Sequence, residues 1–165
     1  MFEGDPAPAE PFEELVNIKT ENGIGRQGAE RLVPWLKKNA ERQSDYLVVF
    51  CDPRMKSTEL QQAVQNIVVD LPAPMLTRTI VINADTPAEN RRWLKKSGLE
   101  GKIDVYSDEK MDWMRAYTAL GDQRWSMTMY VIADERVQKL AREVDQYAAS
   151  RAIRKAVDSL SKTRL

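Results

Sequence analysis

Apolar and polar positions follow two periods along this chain, and the switches between them mark its elements. Tyr46 to Cys51 is an unbroken apolar and aromatic run, as a strand covered on both faces requires. Pro53 ends it, and Ser57 and Thr58 offer N-cap hydroxyls ahead of Leu60, Ala63 and Val64, which recur at helical spacing. Thr77 to Ala84 is a second, β-branched strand. Pro87 and Glu89 open a helix through Lys96 that turns Trp93 and Leu94 inward, and Gly98 caps it. Lys102 to Ser107 reads as a third strand. Asp108 is the expected N-cap of a helix reaching Ala119, which Gly121 ends, and Trp125 to Ala133 is a fourth strand. Earlier, Ala29 to Gln43 is amphipathic, with Leu32, Val33, Trp35, Leu36 and Ala40 turned inward and Pro34 near its first turn. This alternation predicts an α/β fold with a largely parallel centre.

The two ends are less regular. Prolines 6, 8 and 11 make the opening extended, Phe12 to Ile18 is expected as a short edge strand, and Gly23, Gly25 and Gly28 mark a loop. No buried strand leads into those glycines and no Gly-Lys-Ser or Gly-Lys-Thr follows, so they read as a turn rather than a phosphate loop. Residues 1–27 are thus expected as an extended lead-in with that edge strand, and residues 28–165 as one domain. At the other end, Val137, Leu140, Ala141, Val144 and Ala148 recur at helical spacing. On local grounds they draw a single helix from Glu135 to Lys162.

Composition narrows function more than fold. The chain has 165 residues, one domain's length, with enough chain to bury a sizeable core. Lys plus Arg and Asp plus Glu number 25 each, so no net field draws it to nucleic acid or an anionic membrane. No apolar run approaches the roughly 18 residues of a membrane span, and no signal-peptide pattern opens the chain. Histidine is absent and Cys51 is the single cysteine. An internal disulfide, Cys or His metal clusters and His-based triads are therefore excluded. No cofactor and no metal are expected.

Several short stretches then come in a telling order. They are Gly4-Asp-Pro-Ala-Pro8, the Val48-Val49-Phe50 strand running to Pro53, and Ile82-Asn-Ala-Asp85 before a helix with Trp93 and Leu94. Val105-Tyr-Ser-Asp108 follows before a helix ending at Tyr117 to Leu120, and then Thr128-Met-Tyr-Val-Ile-Ala-Asp134. In this series the chain resembles peroxiredoxins of the AhpC/TSA type within the thioredoxin-like superfamily. The resemblance implies a thioredoxin-like (peroxiredoxin-like) three-layer fold, a central mixed sheet flanked by helices. For the C-terminal region it implies a tight turn at Asp134-Glu135, a strand over Val137 to Val144 antiparallel to the fourth strand, and a helix from Ser150 or earlier.

The family's catalytic pattern does not carry over residue by residue. Peroxiredoxins have Pro-x-x-x-Thr/Ser-x-x-Cys, with the cysteine in the first turn of a helix that favours its thiolate. Laid on Pro53, the pattern puts Ser57 at the hydroxyl and Leu60 at the peroxidatic cysteine. Ser126 and Met127 do not supply the arginine expected before Thr128, and Arg124 is out of register. The thioredoxin Cys-x-x-Cys falls on Met55 and Thr58, and its cis-proline on Met127. The chain is accordingly identified as a peroxiredoxin-like member lacking the redox cysteines.

What chemistry remains is thin. Cys51 is either a small buried hydrophobe, the stronger reading, or a thiol activated by Arg54 or Lys56 that would need an external thiol to resolve a sulfenate. Asp52, Asp85 and Asp108 each follow a strand, and with Arg54 and Ser57 they are candidates for a strand-end rim. Three such carboxylates can hold Mg2+ or Ca2+, though turn and capping roles explain them more simply. Met111, Trp113 and Met114 on one short helix are more than a narrow apolar stripe, and are candidates for contact with a protein partner or a second copy. The expectation is a non-catalytic binding, assembly or structural module of a larger protein complex, with no nucleic acid and no membrane insertion. The alternative is a one-cysteine thiol oxidoreductase or peroxidase using Cys51.

Overall fold

A computed structural model describes residues 1–20, 22–33, 45–120 and 126–163. Pro34, Trp35, Leu36, Ala40, Gly121, Arg124 and Trp125, on which several expectations fall, lie outside the described residues. Five strands form one sheet: β1 (Leu47–Asp52), β2 (Thr79–Asn83), β3 (Asp104–Ser107), β4 (Met127–Ala133) and β5 (Arg136–Val144). Their order is β3-β2-β1-β4-β5. β1, β2 and β3 run parallel, β4 is antiparallel to β1, and β5 is antiparallel to β4. The sheet is therefore mixed, with its parallel part at one side.

Helices cover both faces, and strand parity decides which side chains each face receives. Val48, Phe50, Val81, Val105, Met129 and Val131 pack on one face against α3 (Thr58–Asp70), α5 (Pro87–Lys96) and α7 (Ala149–Thr163). Leu47, Val49, Cys51, Ile80, Ile82, Tyr130 and Ile132 pack on the other, against α1 (Glu10–Glu13), α2 (Gly25–Leu32) and α6 (Asp112–Ala116). A short α4 (Ala73–Leu76) occupies the Pro-rich break after α3. Among the described residues no helix is long and apolar enough to cross a membrane.

The N-terminal region departs from the expected edge strand and glycine loop. Phe12 sits in one-turn α1, and from Phe12 to Ile18 only Val16 touches the sheet, in a single antiparallel bridge to Ser107, while earlier in the chain Pro6 bridges to Arg136 of β5. Phe12 and Leu15 are buried in the second core, so this stretch is anchored rather than merely extended. Gly25 and Gly28 lie in α2, while Gly23 marks a true turn at φ +85. A Cβ on Gly23 would stand 2.7 Å from the Glu13 carbonyl oxygen, so no other residue fits without movement.

The C-terminal hairpin forms as the resemblance implies, against the local helical spacing. Asp134 and Glu135 take φ values of 54° and 63°, positive at both central turn positions as a primed two-residue hairpin demands. Register shifts between Met127 and Met129, and between Val131 and Ile132, mark two irregularities in the β4–β5 ladder. Each bulge reverses side-chain parity once. That is why Val137 and Leu140 face one core while Ala141 and Val144 face the other, three residues apart within each pair. A strand with two bulges has imitated a helix's spacing.

Candidate functional site

Parallel strands end on the same side, so the registers that pair Asp52 with Asn83 and Asn83 with Ser107 set three polar residues in a row. After Asp52 the chain breaks at Pro53, and Ser57 caps α3: its hydroxyl accepts from the Leu60 N–H at 3.2 Å. The intervening turn is tied down by carboxylates. Asp52, wholly buried, accepts from the Arg54 backbone N–H at 2.9 Å and from both Nε (3.0 Å) and NH2 (2.9 Å) of the guanidinium. This bidentate pair holds the Arg54 proton more tightly than usual, chiefly through the hydrogen bonds to Asp52. Asp85 accepts from the Lys56 N–H at 2.8 Å, closing the turn onto the end of β2, and its burial raises its carboxyl pKa.

Asp108 acts across a gap. The residue preceding α6 is Met111, in the left-handed region at φ 60, and not Asp108 as the sequence suggests. The Asp108 carboxylate nevertheless reaches over and accepts from the N–H groups of Trp113 (3.3 Å) and Met114 (2.9 Å). Burial raises its pKa and these backbone bonds pull it back down. The three carboxylates are thus each engaged by a local turn or helix start, and do not converge. Among the described residues no group of side chains is disposed to hold a metal ion.

Sequence reasoning overlooked the most connected polar group. Asn83 and Asn90 exchange side-chain amide hydrogen bonds at 2.7 and 2.9 Å, Asn90 also donates to Ser107 Oγ at 3.1 Å, and Trp93 Nε1 donates to Asn90 Oδ1 at 3.0 Å. All four residues are buried. The available signal was a polar residue on the inward face of α5, three positions before Trp93, beside a strand ending in Asn83.

Cys51 faces the opposite layer. It pairs in the ladder with Thr128, is wholly buried, and lies in the core formed with Phe12, Trp113, Tyr117 and Tyr130. Trp113 and Tyr117 stack with ring centroids 4.2 Å apart, and Tyr130 meets both edge-on. The Tyr130 hydroxyl donates to the Tyr117 carbonyl and the Tyr117 hydroxyl to the Pro8 carbonyl, each at 2.5 Å. Trp113 Nε1 is buried with no hydrogen-bond partner among the described residues. Burial pushes the Cys51 thiol well above its ordinary pKa, and the negative charges of Asp52 and Asp108 push the same way. Arg54 does not activate the thiol in this arrangement, since it is committed to Asp52.

The expected partner surface needs correcting. Trp113 and Met114 are fully buried and Met111 is half-buried, because the short α6 closes the aromatic layer rather than standing proud of it. Leu60, where the family's motif laid on Pro53 would put its cysteine, is 2% exposed and packs into the α3 side of the core.

No family model and no curated protein matches the chain. Solved structures do. A variant of PrxQ from Xylella fastidiosa superposes with a TM-score of 0.71 at 12% identity, covering 100% of this chain and 98% of that one. The bacterioferritin comigratory protein of Xanthomonas campestris, whose structure is described with its alkyl peroxide reduction activity, gives 0.66 at 12% identity over 98% and 99%. A peroxiredoxin-like protein from Aquifex aeolicus gives 0.60 at 15% identity over 98% and 87%. These neighbours overturn the expected non-catalytic module: they are peroxiredoxins, and this chain keeps one cysteine, which the one-cysteine alternative requires. That the chain lacks the redox cysteines is not confirmed, because one buried cysteine, Cys51, remains. In architecture the chain is an α/β protein with a peroxiredoxin-like thioredoxin fold.

Proposed function

We propose that the protein is a slow one-cysteine thiol peroxidase in which Cys51 is the reacting sulfur. One observation carries this reading: the single thiol stands at the carboxyl end of central strand β1, one residue before the Asp52-Pro53 turn. The first turn of α3 cannot do the chemistry, because Leu60 offers no ionisable atom there. Peroxide reduction in neighbours of the same fold supports the assignment of substrate class.

In the proposed cycle the Cys51 thiolate attacks one oxygen of a peroxide, the O–O bond breaks, and the departing alkoxide or hydroxide takes a proton to leave as alcohol or water. The sulfenic acid condenses with an external thiol, forming a mixed disulfide and water. A second external thiol then attacks the partner sulfur, releasing Cys51 as thiol and a small-molecule disulfide. With no second cysteine in the chain, both reducing equivalents come from outside.

The closed structure sets the rate. A wholly buried thiol with a raised pKa holds its proton and meets no peroxide, so turnover proceeds through molecules in which α6 has lifted from the aromatic layer. The unpaired Trp113 Nε1 in that layer is a donor available once it opens. The test is peroxide consumption with excess dithiothreitol, beside Cys51→Ser. Turnover above the blank that disappears in Cys51→Ser supports the reading, and equal rates for both proteins refute it.

A further inference from the structure

The outer edge of β3 carries half a ladder. Ser107 exchanges two backbone bonds with Val16, its N–H donating at 2.7 Å and its carbonyl accepting at 3.4 Å. Ser107 therefore directs both groups away from β2, and by the two-residue period of a strand so does Val105. Val16 and its successors would reach Val105 at Ile18 if they continued antiparallel. They do not, because Asn17 and Thr20 close a turn: the Asn17 side-chain oxygen accepts from the Lys19 N–H at 3.0 Å and the Thr20 N–H donates to the Asn17 carbonyl at 3.0 Å. Among the described residues nothing pairs with the outward groups of Val105.

Two cavities flank this edge, one on each face of the sheet. On the α5 face, about 130 Å³ is lined by Ile18, Pro87, Leu94, Ile103 and Val105 together with Arg91. On the α2 face, about 310 Å³ is lined by Ile24, Leu32, Tyr106, Lys19 and Arg31. Asn17, Lys19 and Asp104 border both. An added strand sends successive side chains to opposite faces, and residues directly opposite one another share a face. A residue paired with Val105 therefore points into the smaller, mainly apolar cavity. The next residue, paired with Asp104, points into the larger one, where Lys19 and Arg31 together must offset the repulsion of a like charge by the Asp104 carboxylate directly opposite.

From this geometry we infer that the β3 edge docks an extended peptide of a partner protein, antiparallel to β3 and in line with Val16. Its recognition step is an aliphatic residue followed by an acidic one. Backbone bonds to Val105 supply the attachment, and the two cavities supply the selectivity. The cavity beside Val105, at about 130 Å³ the smaller of the two, suits an aliphatic side chain better than a large aromatic one.

The probe is an N-acetylated pentapeptide, Val-Glu-Thr-Ser-Thr, fluorescently labelled at its C-terminal end, in which valine comes first because Val16 already holds the position opposite Ser107; it is titrated with the whole protein and followed by anisotropy. Saturable binding is expected, weakened at least tenfold when the valine nitrogen is N-methylated, when Glu becomes Lys, or when Val becomes Trp. These three changes leave the protein untouched, so none is confounded by folding. On the protein, Arg31→Glu at an exposed position should weaken the Glu peptide and strengthen the Lys peptide. No saturable binding, binding indifferent to N-methylation, or an edge occupied by a second copy in sedimentation would each overturn the inference. Cys51→Ser should bind the peptide like the parent, which separates this result from the fate of the peroxidase reading.

Discussion

Removing the Asp108 carboxylate should expose Cys51. Asp108 holds the start of α6 through bonds to the Trp113 and Met114 N–H groups, and α6 covers the layer that contains the thiol. A capping side chain contributes about 0.5–2 kcal/mol and each bond to a charged group about 1.5–3 kcal/mol. The upward shift of the Asp108 pKa shows that burial offsets part of that gain. A net loss of about 2 kcal/mol for Asp108→Ala follows, which multiplies the open population roughly 30-fold. Asp108→Asn keeps an acceptor oxygen and should lose about 1 kcal/mol, a rise of roughly fivefold. Loss of the charge also lowers the thiol pKa, so both effects act in one direction. The assay is alkylation of native Cys51 by iodoacetamide, timed by mass spectrometry, under conditions where reclosing outruns the reagent. Ser57→Ala is the control, since it weakens α3 on the opposite face. If Asp108→Ala alkylates within twofold of the parent, α6 is not what covers the thiol. If Ser57→Ala accelerates alkylation in step with its loss of stability, the thiol reacts only through global unfolding and the local-opening argument fails.

Further outcomes follow from the same geometry. Ser57→Ala deletes the hydroxyl that caps α3 and should cost about 1 kcal/mol, a melting shift of about 2–4 °C for a chain of this size, while Ser57→Asp should leave stability nearly unchanged. Asn90→Ala strands the Asn83 amide and the Trp93 indole N–H in the core and should cost about 3 kcal/mol or more in urea unfolding. The Cys51 thiol is held above its unfolded pKa, so above about pH 8.5 the unfolded chain loses its proton first and binds fewer protons than the folded one. Stability of the parent should therefore fall with rising pH by up to about 1.4 kcal/mol per unit relative to Cys51→Ala, and parallel curves for the two proteins would show the shift to be absent.

The strands and helices of the centre were legible because their cues are local. An unbroken apolar run, Pro53 and a capping hydroxyl bracket β1 and α3, and Pro87, Glu89 and Gly98 bracket α5. The C-terminal strand was not legible locally, because two bulges give β5 the spacing of a helix, and only the family resemblance supplied the hairpin. The face of α6 was misjudged for a different reason. Trp113 and Met114 are too many large groups for a five-residue helix to bury alone, yet Phe12 and Tyr130 arrive from distant parts of the chain, and Tyr117 from the end of α6, to cover them. The Asn83–Asn90 pair was missed because it joins a strand end to the next helix, and neither element's own periodicity calls for a polar partner. The family's motif laid on Pro53 puts its cysteine at Leu60. It left open the chemistry of the thiol that remains.

The central claim is that Cys51 takes an oxygen atom from peroxide in the folded protein. The direct measurement is trapping of the sulfenic acid with dimedone after exposure to hydrogen peroxide or an alkyl hydroperoxide, with the labelled peptide identified by mass spectrometry and the fold followed by near-ultraviolet circular dichroism. An adduct at Cys51 that forms while the aromatic spectrum is intact, and faster at about pH 9 than at about pH 7 because more thiolate is present, is the predicted result. No adduct over a period that fully labels an unfolded peptide carrying the Cys51 sequence, or an adduct only after the aromatic spectrum has collapsed, would contradict it.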